Sequence, residues 1–169
     1  MTRLLIVDDQ VLIRAGLAAL AAAAPGLEVV GQAATGEEAV ELAAALRPDV
    51  VLMDIRLPGM SGITALQHIL DRAPRPKPKI VMLTVFDLDE YVYAALRAGA
   101  SGFLLKDTPP ERLLAAVALI AEGEMLFAPT VTRRFRRADH RVERHQPRPP
   151  ALHRRRPVPL PHRPRNPAV

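Results

Sequence analysis

The chain has 169 residues, enough for one domain and an appendage. It lacks cysteine, which excludes disulfides and thiolate metal centres and fits a cytoplasmic location, and its longest uncharged stretch, Ala15–Leu27, is interrupted by Pro25 and Gly26 and is too short for a membrane helix. The net charge of +5 combines a tail of +10, with twelve arginines against two acids in residues 133–169, and a remainder of −5, so the high isoelectric point does not make residues 1–132 a nucleic-acid binder.

Short runs of Val, Ile and Leu alternate with segments of helical period. Leu4–Val7 reads as a first strand, apolar throughout as a strand covered on both faces should be. Val11–Ala24 follows as a helix that places Ile13, Leu17, Leu20 and Ala24 on one face. Leu27–Val30 is a second strand, and Thr35-Gly-Glu-Glu38 fits a capping box at the start of the next helix. After the third strand, Val50–Met53, Ser61 caps a helix running to Ala73, whose stripe of Ile63, Leu66 and Leu70 leaves His68 on the surface. The run Pro74-Arg-Pro-Lys-Pro78 breaks the chain before a fourth strand, Ile80–Leu83. Phe103–Leu105 is the fifth strand. Thr108-Pro-Pro-Glu111 fits a second capping box, with Pro109 at the first position of a helix that turns Leu113, Val117, Ile120 and Ala121 inward. Strand–helix alternation over about 120 residues predicts an α/β domain: a doubly wound, five-stranded parallel sheet flanked by five helices, since parallel neighbours need helical crossovers.

Polar groups end four of these strands: Asp8 and Asp9 the first, Asp54 the third, Thr84 the fourth and Lys106 the fifth. In a sheet of order 2-1-3-4-5 those carboxyl ends are neighbours at the topological switch point, where ligands bind. Three crowded carboxylates repel unless a hard, oxygen-preferring cation such as Mg2+ neutralises them. Lys106 offers a compact positive charge for an anion, and Thr84 a hydroxyl. A carboxylate nucleophile beside a metal, an ammonium and a hydroxyl describes phosphoryl transfer onto an aspartate. Asp is also a common helix N-cap, but three such residues together with Thr84 and Lys106 are too costly to bury idly.

The stretches LLIVDDQ, DVVLMDIRLPGMSG, KIVMLTVFDLDEYVYAALRAGASGFLLKD and GE-x-x-FAPTVTRR resemble the CheY-like receiver family, specifically response regulators of the NarL/FixJ (LuxR) type, over residues 1 to about 132. The resemblance implies a flavodoxin/CheY-like fold with a receiver over residues 1–124 and the start of a linker over 125–132. It makes Asp54 the phosphoacceptor. Asp8, Asp9, Asp54 and the backbone carbonyl of Arg56 become the ligands of Mg2+, Thr84 and Lys106 the phosphate-handling pair, and Thr84 and Phe103 the switch. It implies a sensor histidine kinase as partner, homodimerisation on phosphorylation, and a signalling domain that modifies itself, not an enzyme with a separate substrate. Phe103 lacks a hydroxyl, so its switching would act through packing. Val85 stands where many relatives have a small or hydroxylated residue.

Residues 133–169, with eight prolines and four of the five histidines, lack the apolar residues to offset the entropy of folding and read as a disordered tail. Relatives of this type continue into a helix-turn-helix domain, which needs roughly 60 residues of helical period. That output domain is not recognisable here, so DNA is expected as a partner only where the intact gene product carries one. Arg, Pro, His and Ala share GC-rich codons, and residues from about Phe135 read as a frameshift product. The alternatives are a stand-alone receiver acting as a phosphate sink, and DNA binding through the basic tail. An aspartyl phosphatase of the haloacid dehalogenase kind needs a carboxylate two residues after its nucleophile, where this chain has Arg56.

Overall fold

The computed structural model describes residues 1–85 and 89–127. The elements run β1 (Thr2–Val7), α1 (Val11–Ala23), β2 (Leu27–Ala33), α2 (Gly36–Leu46), β3 (Val50–Asp54), α3 (Gly62–Arg72), β4 (Lys79–Thr84), α4 (Asp89–Arg97), β5 (Gly102–Leu105), α5 (Pro110–Ala121) and β6 (Leu126–Phe127). All pairings are parallel, in the order β2-β1-β3-β4-β5-β6. The doubly wound order 2-1-3-4-5 is as the sequence predicts. A sixth strand extends it: Leu126–Phe127, in the segment read as the start of a linker, pairs with Gly102 and Phe103. Two residues are too few to leave a periodic signal.

Strand alternation divides the core between two faces. Leu5, Val7, Val51, Met53, Ile80, Met82 and Phe103 pack with residues of α2, α3 and α4, while Leu4, Ile6, Val50, Leu52, Val81, Leu83 and Leu104 pack with α1 and α5. Both faces are covered, which is why the runs Leu4–Val7, Val50–Met53 and Ile80–Leu83 are apolar, each fully buried Leu or Ile contributing about 2 kcal/mol.

The helix starts differ in how far they follow the predicted caps. The Thr35 hydroxyl accepts from Glu38 N–H at 3.2 Å, and Glu38 reaches back to Ala34 N–H at 2.8 Å, one residue beyond the N-cap N–H that a capping box bonds. Ser61 caps α3 by accepting from Thr64 N–H at 3.2 Å. The cap at Thr108 does not form. Pro109 is the N-cap and Pro110 the first helical residue, so the helix begins one position later than predicted. In α1 the inner face is also shifted: Leu17, Ala18, Ala21 and Ala24 pack on the sheet, whereas Leu20 is 42% exposed. The Ala-rich helix offers several apolar stripes of similar weight, and only packing selects one. Among the described residues no helix is long and apolar enough to cross a membrane. The tail lies outside the described residues.

Candidate functional site

The carboxyl ends of β1, β3 and β5 bring Asp8, Asp54 and Lys106 into contact. Lys106 Nζ lies 2.9 Å from Asp54 Oδ2, to which it donates, and 2.6 Å from Asp8 Oδ2. The second contact has the distance of an ion pair without the angles of a hydrogen bond, so the buried Asp8 Oδ2 keeps no aligned donor. One carboxylate oxygen from each of Asp8, Asp9 and Asp54 lies within 4.8 Å of the other two. Asp8 and Asp54 are buried and Asp9 is exposed, so the cluster opens to solvent on the Asp9 side.

Local backbone holds these groups in place. Asp8 Oδ1 accepts from Gln10 N–H at 2.9 Å, the Asp8 carbonyl accepts from the Arg14 guanidinium at 2.5 Å, and Asp8 N–H donates to Ala33 O at 3.1 Å. Asp54 Oδ1 accepts a long bond, 3.3 Å, from Arg56 N–H. Below Asp54, Gly62 N–H donates to Ile55 O at 2.9 Å, and a Cβ on Gly62 would stand 1.9 Å from the Asp54 carbonyl oxygen. Only glycine permits this approach of α3 to the end of β3. Lys106 N–H donates to Thr84 O at 2.8 Å, which ties the ends of β4 and β5 together.

Burial dominates the electrostatics of Asp54. Desolvation pushes its carboxyl above the ordinary 3.8, Lys106 pulls it down by hydrogen bond and charge, and Asp8 pushes it up again. Burial works against the Lys106 ammonium too, yet the two carboxylates together outweigh it and hold the lysine above 10.5. Lys106 is therefore charged at any ordinary pH, and one cation faces three acids. That excess of negative charge, all on oxygen, with an unsatisfied buried Asp8 oxygen, fits a hard divalent cation.

The remaining predicted residues are placed as follows. Thr84 is the last residue of β4 and 2% exposed. Arg56 lies two residues beyond Asp54, with its guanidinium 5.9 Å from the centroid of the Tyr91 ring on α4. Phe103 has no exposed surface and sits in the core beneath α2, α3 and α4. Val85, after Thr84, is 61% exposed. The sequence does not single out Arg14 or Tyr91. A basic residue in the first turn of an otherwise apolar α1 is the only trace Arg14 leaves, and the Arg56–Tyr91 contact joins residues with no periodic relation.

Fold and site together define a doubly wound α/β protein with a lysine-bridged acidic pocket at its switch point. The response regulator receiver domain family matches residues 4–118. Over 130 residues the chain is 45% identical to YxjL, an uncharacterized transcriptional regulatory protein of Bacillus subtilis, covering 77% of this chain and 58% of that protein. It is 40% identical to the nitrate/nitrite response regulator NarL of Escherichia coli, covering 76% and 59%. Among solved structures it resembles a LuxR-family two-component response regulator from Aurantimonas sp. SI85-9A1, with a TM-score of 0.75 and 33% identity over 84% of this chain and 99% of that one. The signal receiver domain of a NarL response regulator from Mycobacterium tuberculosis gives a TM-score of 0.68 and 35% identity over 73% and 98%. The chain belongs to the response regulator receiver family, as a receiver domain of the NarL type in two-component signalling. It spans just under three-fifths of the length of these two curated relatives.

Proposed function

We propose that the chain accepts a phosphoryl group on Asp54 from the phosphohistidine of a sensor histidine kinase, and that the resulting acyl phosphate alters its surface to control a transcriptional output. The observation that supports this reading is the contact of one lysine with two buried carboxylates at the carboxyl rim of the sheet. An Asp54 oxygen attacks phosphorus, forming an O–P bond as the N–P bond breaks, and the departing imidazole nitrogen keeps the bonding pair and takes up a proton. Asp54 Oδ1 suits this attack, since the bond it accepts from Arg56 N–H is long, at 3.3 Å. Desolvation disfavours the ionised Asp54, and bonding to phosphorus removes that buried charge from the carboxylate. Lys106, already beside Asp54 Oδ2, follows the phosphoryl oxygens, and the Thr84 hydroxyl donates to them. A magnesium ion held by Asp8, Asp9, Asp54 and the backbone carbonyl of Arg56 would, when bound, neutralise the carboxylates and the phosphoryl charge.

The product carries up to about two negative charges and three strong acceptors. Drawing Thr84 and Lys106 toward it disturbs the ends of β4 and β5, and through them the surface of α4, β5 and α5. Phe103 is already inside the core, so its part in switching is a repacking among buried neighbours and not a movement from solvent. Homodimerisation and DNA binding through an output domain follow as downstream steps. The test is incubation with acetyl phosphate and magnesium, read by intact mass. One added phosphoryl group is expected on the wild type and none on Asp54→Asn; a variant that still gains the mass places the acceptor elsewhere.

A further inference from the structure

The end of the sheet opposite Asp54 carries a second feature, a cationic groove. Two hollows of about 230 and 330 Å3 adjoin there, and Ala43, Arg47, Ala73 and Pro74 line both. The first has an apolar floor of Val40, Ala43, Ala44 and Ile69 between α2 and α3. The second continues along the proline-rich loop to the amino ends of β3 and β4.

Arg47, Arg72, Arg75, Lys77 and Lys79 line these hollows. Arg3 adds a sixth cation, its guanidinium donating to Arg47 O at 3.3 Å. None of the six forms an ion pair among the described residues. The single acid lining either hollow, Asp49, accepts from Arg3 N–H at 2.8 Å. Compensation of helix dipoles does not account for this charge. Of the three helices ending here, α2 has Arg47 at its C-cap, α3 has Arg72 in its last turn and α5 has no basic residue there. The three C-termini and Asp49 amount to about −2.5 charges, which leaves an excess of about 3.5 from six cations.

We propose that this groove binds an acidic peptide segment of a partner protein, with carboxylates on the cationic rim and an apolar side chain on the floor. The chain's own tail is excluded as occupant, since residues 133–169 carry +10. Nucleic acid fits less well, because no aromatic side chain lines either hollow to stack a base and the floor is apolar. The site lies at the amino ends of the strands, away from the carboxyl rim that holds Asp54.

The proposal is tested by titrating the whole chain with a short acetylated peptide of repeating Glu-Glu-Leu while recording backbone amide NMR shifts. Shifts are expected at Ala43, Ala73 and Lys77. Binding should weaken roughly tenfold when glutamine replaces the glutamates, or serine the leucines, and by a similar factor in an Arg47→Gln/Lys77→Gln variant of unchanged melting temperature and unchanged phosphorylation. Shifts confined to residues 133–169, or equal affinity of the double variant, would overturn the proposal. A short DNA duplex that moves the same groove amides at lower concentration than the peptide would make this a nucleic-acid site and overturn it equally.

Discussion

Lys106 holds two like charges together at the centre of the site, so its removal isolates both. Lys106→Met should destabilise the metal-free protein by about 3 kcal/mol in urea denaturation, because Asp8 and Asp54 would remain buried and uncompensated. Adding Asp54→Asn should restore part of that loss, and a double variant no more stable than Lys106→Met would argue against the mutual repulsion invoked. Asp54→Asn alone has the opposite sign. The folded state binds the Asp54 proton more tightly than the unfolded chain does, so the ionised carboxylate costs stability above its raised pKa, and this cost fades as pH falls through that pKa toward 3.8. The variant should therefore gain about 1 kcal/mol at neutral pH without metal, with the gain shrinking as the buffer is acidified. Val85 projects into solvent beside Thr84, and its branched side chain is expected to hinder water at the acyl phosphate; Val85→Ala should shorten the phosphoryl lifetime, and an unchanged lifetime would count against that role. Asp8, Asp54 and Lys106 are legible in the sequence because a parallel sheet gathers strand ends however distant in the chain. Arg14 and Tyr91 are not, because a guanidinium on a backbone carbonyl or over a ring depends on side-chain direction, which periodicity does not encode.

Glycines separate the elements that position the site from those that only cover it. Gly62, at the start of α3, meets the Asp54 carbonyl oxygen, a backbone atom that cannot yield. Gly62→Ala should cost about 3 kcal/mol or more and also lower the rate of phosphorylation, since α3 and the end of β3 must separate. Gly16, within α1, has nothing within 4 Å of its would-be Cβ. Gly16→Ala should raise stability by about 1 kcal/mol through helix propensity and leave phosphorylation by acetyl phosphate unchanged; a loss of stability would mean that α1 is not an ordinary covering helix. The elements themselves were legible where the signal is long or doubled, as in the apolar runs Val50–Met53 of β3 and Ile80–Leu83 of β4, and α3, with a serine cap and an amphipathic stripe. It failed where one residue type repeats or competes. The alanines of α1 blur its inner face, and consecutive Pro109 and Pro110 move the start of α5 past the Thr108 hydroxyl.

The molecule is polarised in charge, with acids at the carboxyl rim of the sheet, cations without an ion pair among the described residues at the opposite end, and a strongly basic tail. This arrangement makes the response to magnesium a specific test. Residues 1–132 carry a net charge of −5 and draw cations in general, so the part of the stabilisation that belongs to the cluster of Asp8, Asp9 and Asp54 is the part that sodium chloride does not reproduce. For a site of about millimolar affinity, roughly 10 mM magnesium should add about 1.4 kcal/mol to the folding free energy, or about 4 °C in Tm, and sodium chloride of equal ionic strength should not. Asp9 separates metal binding from packing, because it is exposed and its loss removes no core contact. Asp9→Asn should therefore melt close to the wild type in metal-free buffer yet lose most of the increment on adding magnesium. If that variant gains as much as the wild type, the cation is held elsewhere, and the acidic rim is no metal centre but a carboxylate cluster balanced by Lys106 alone.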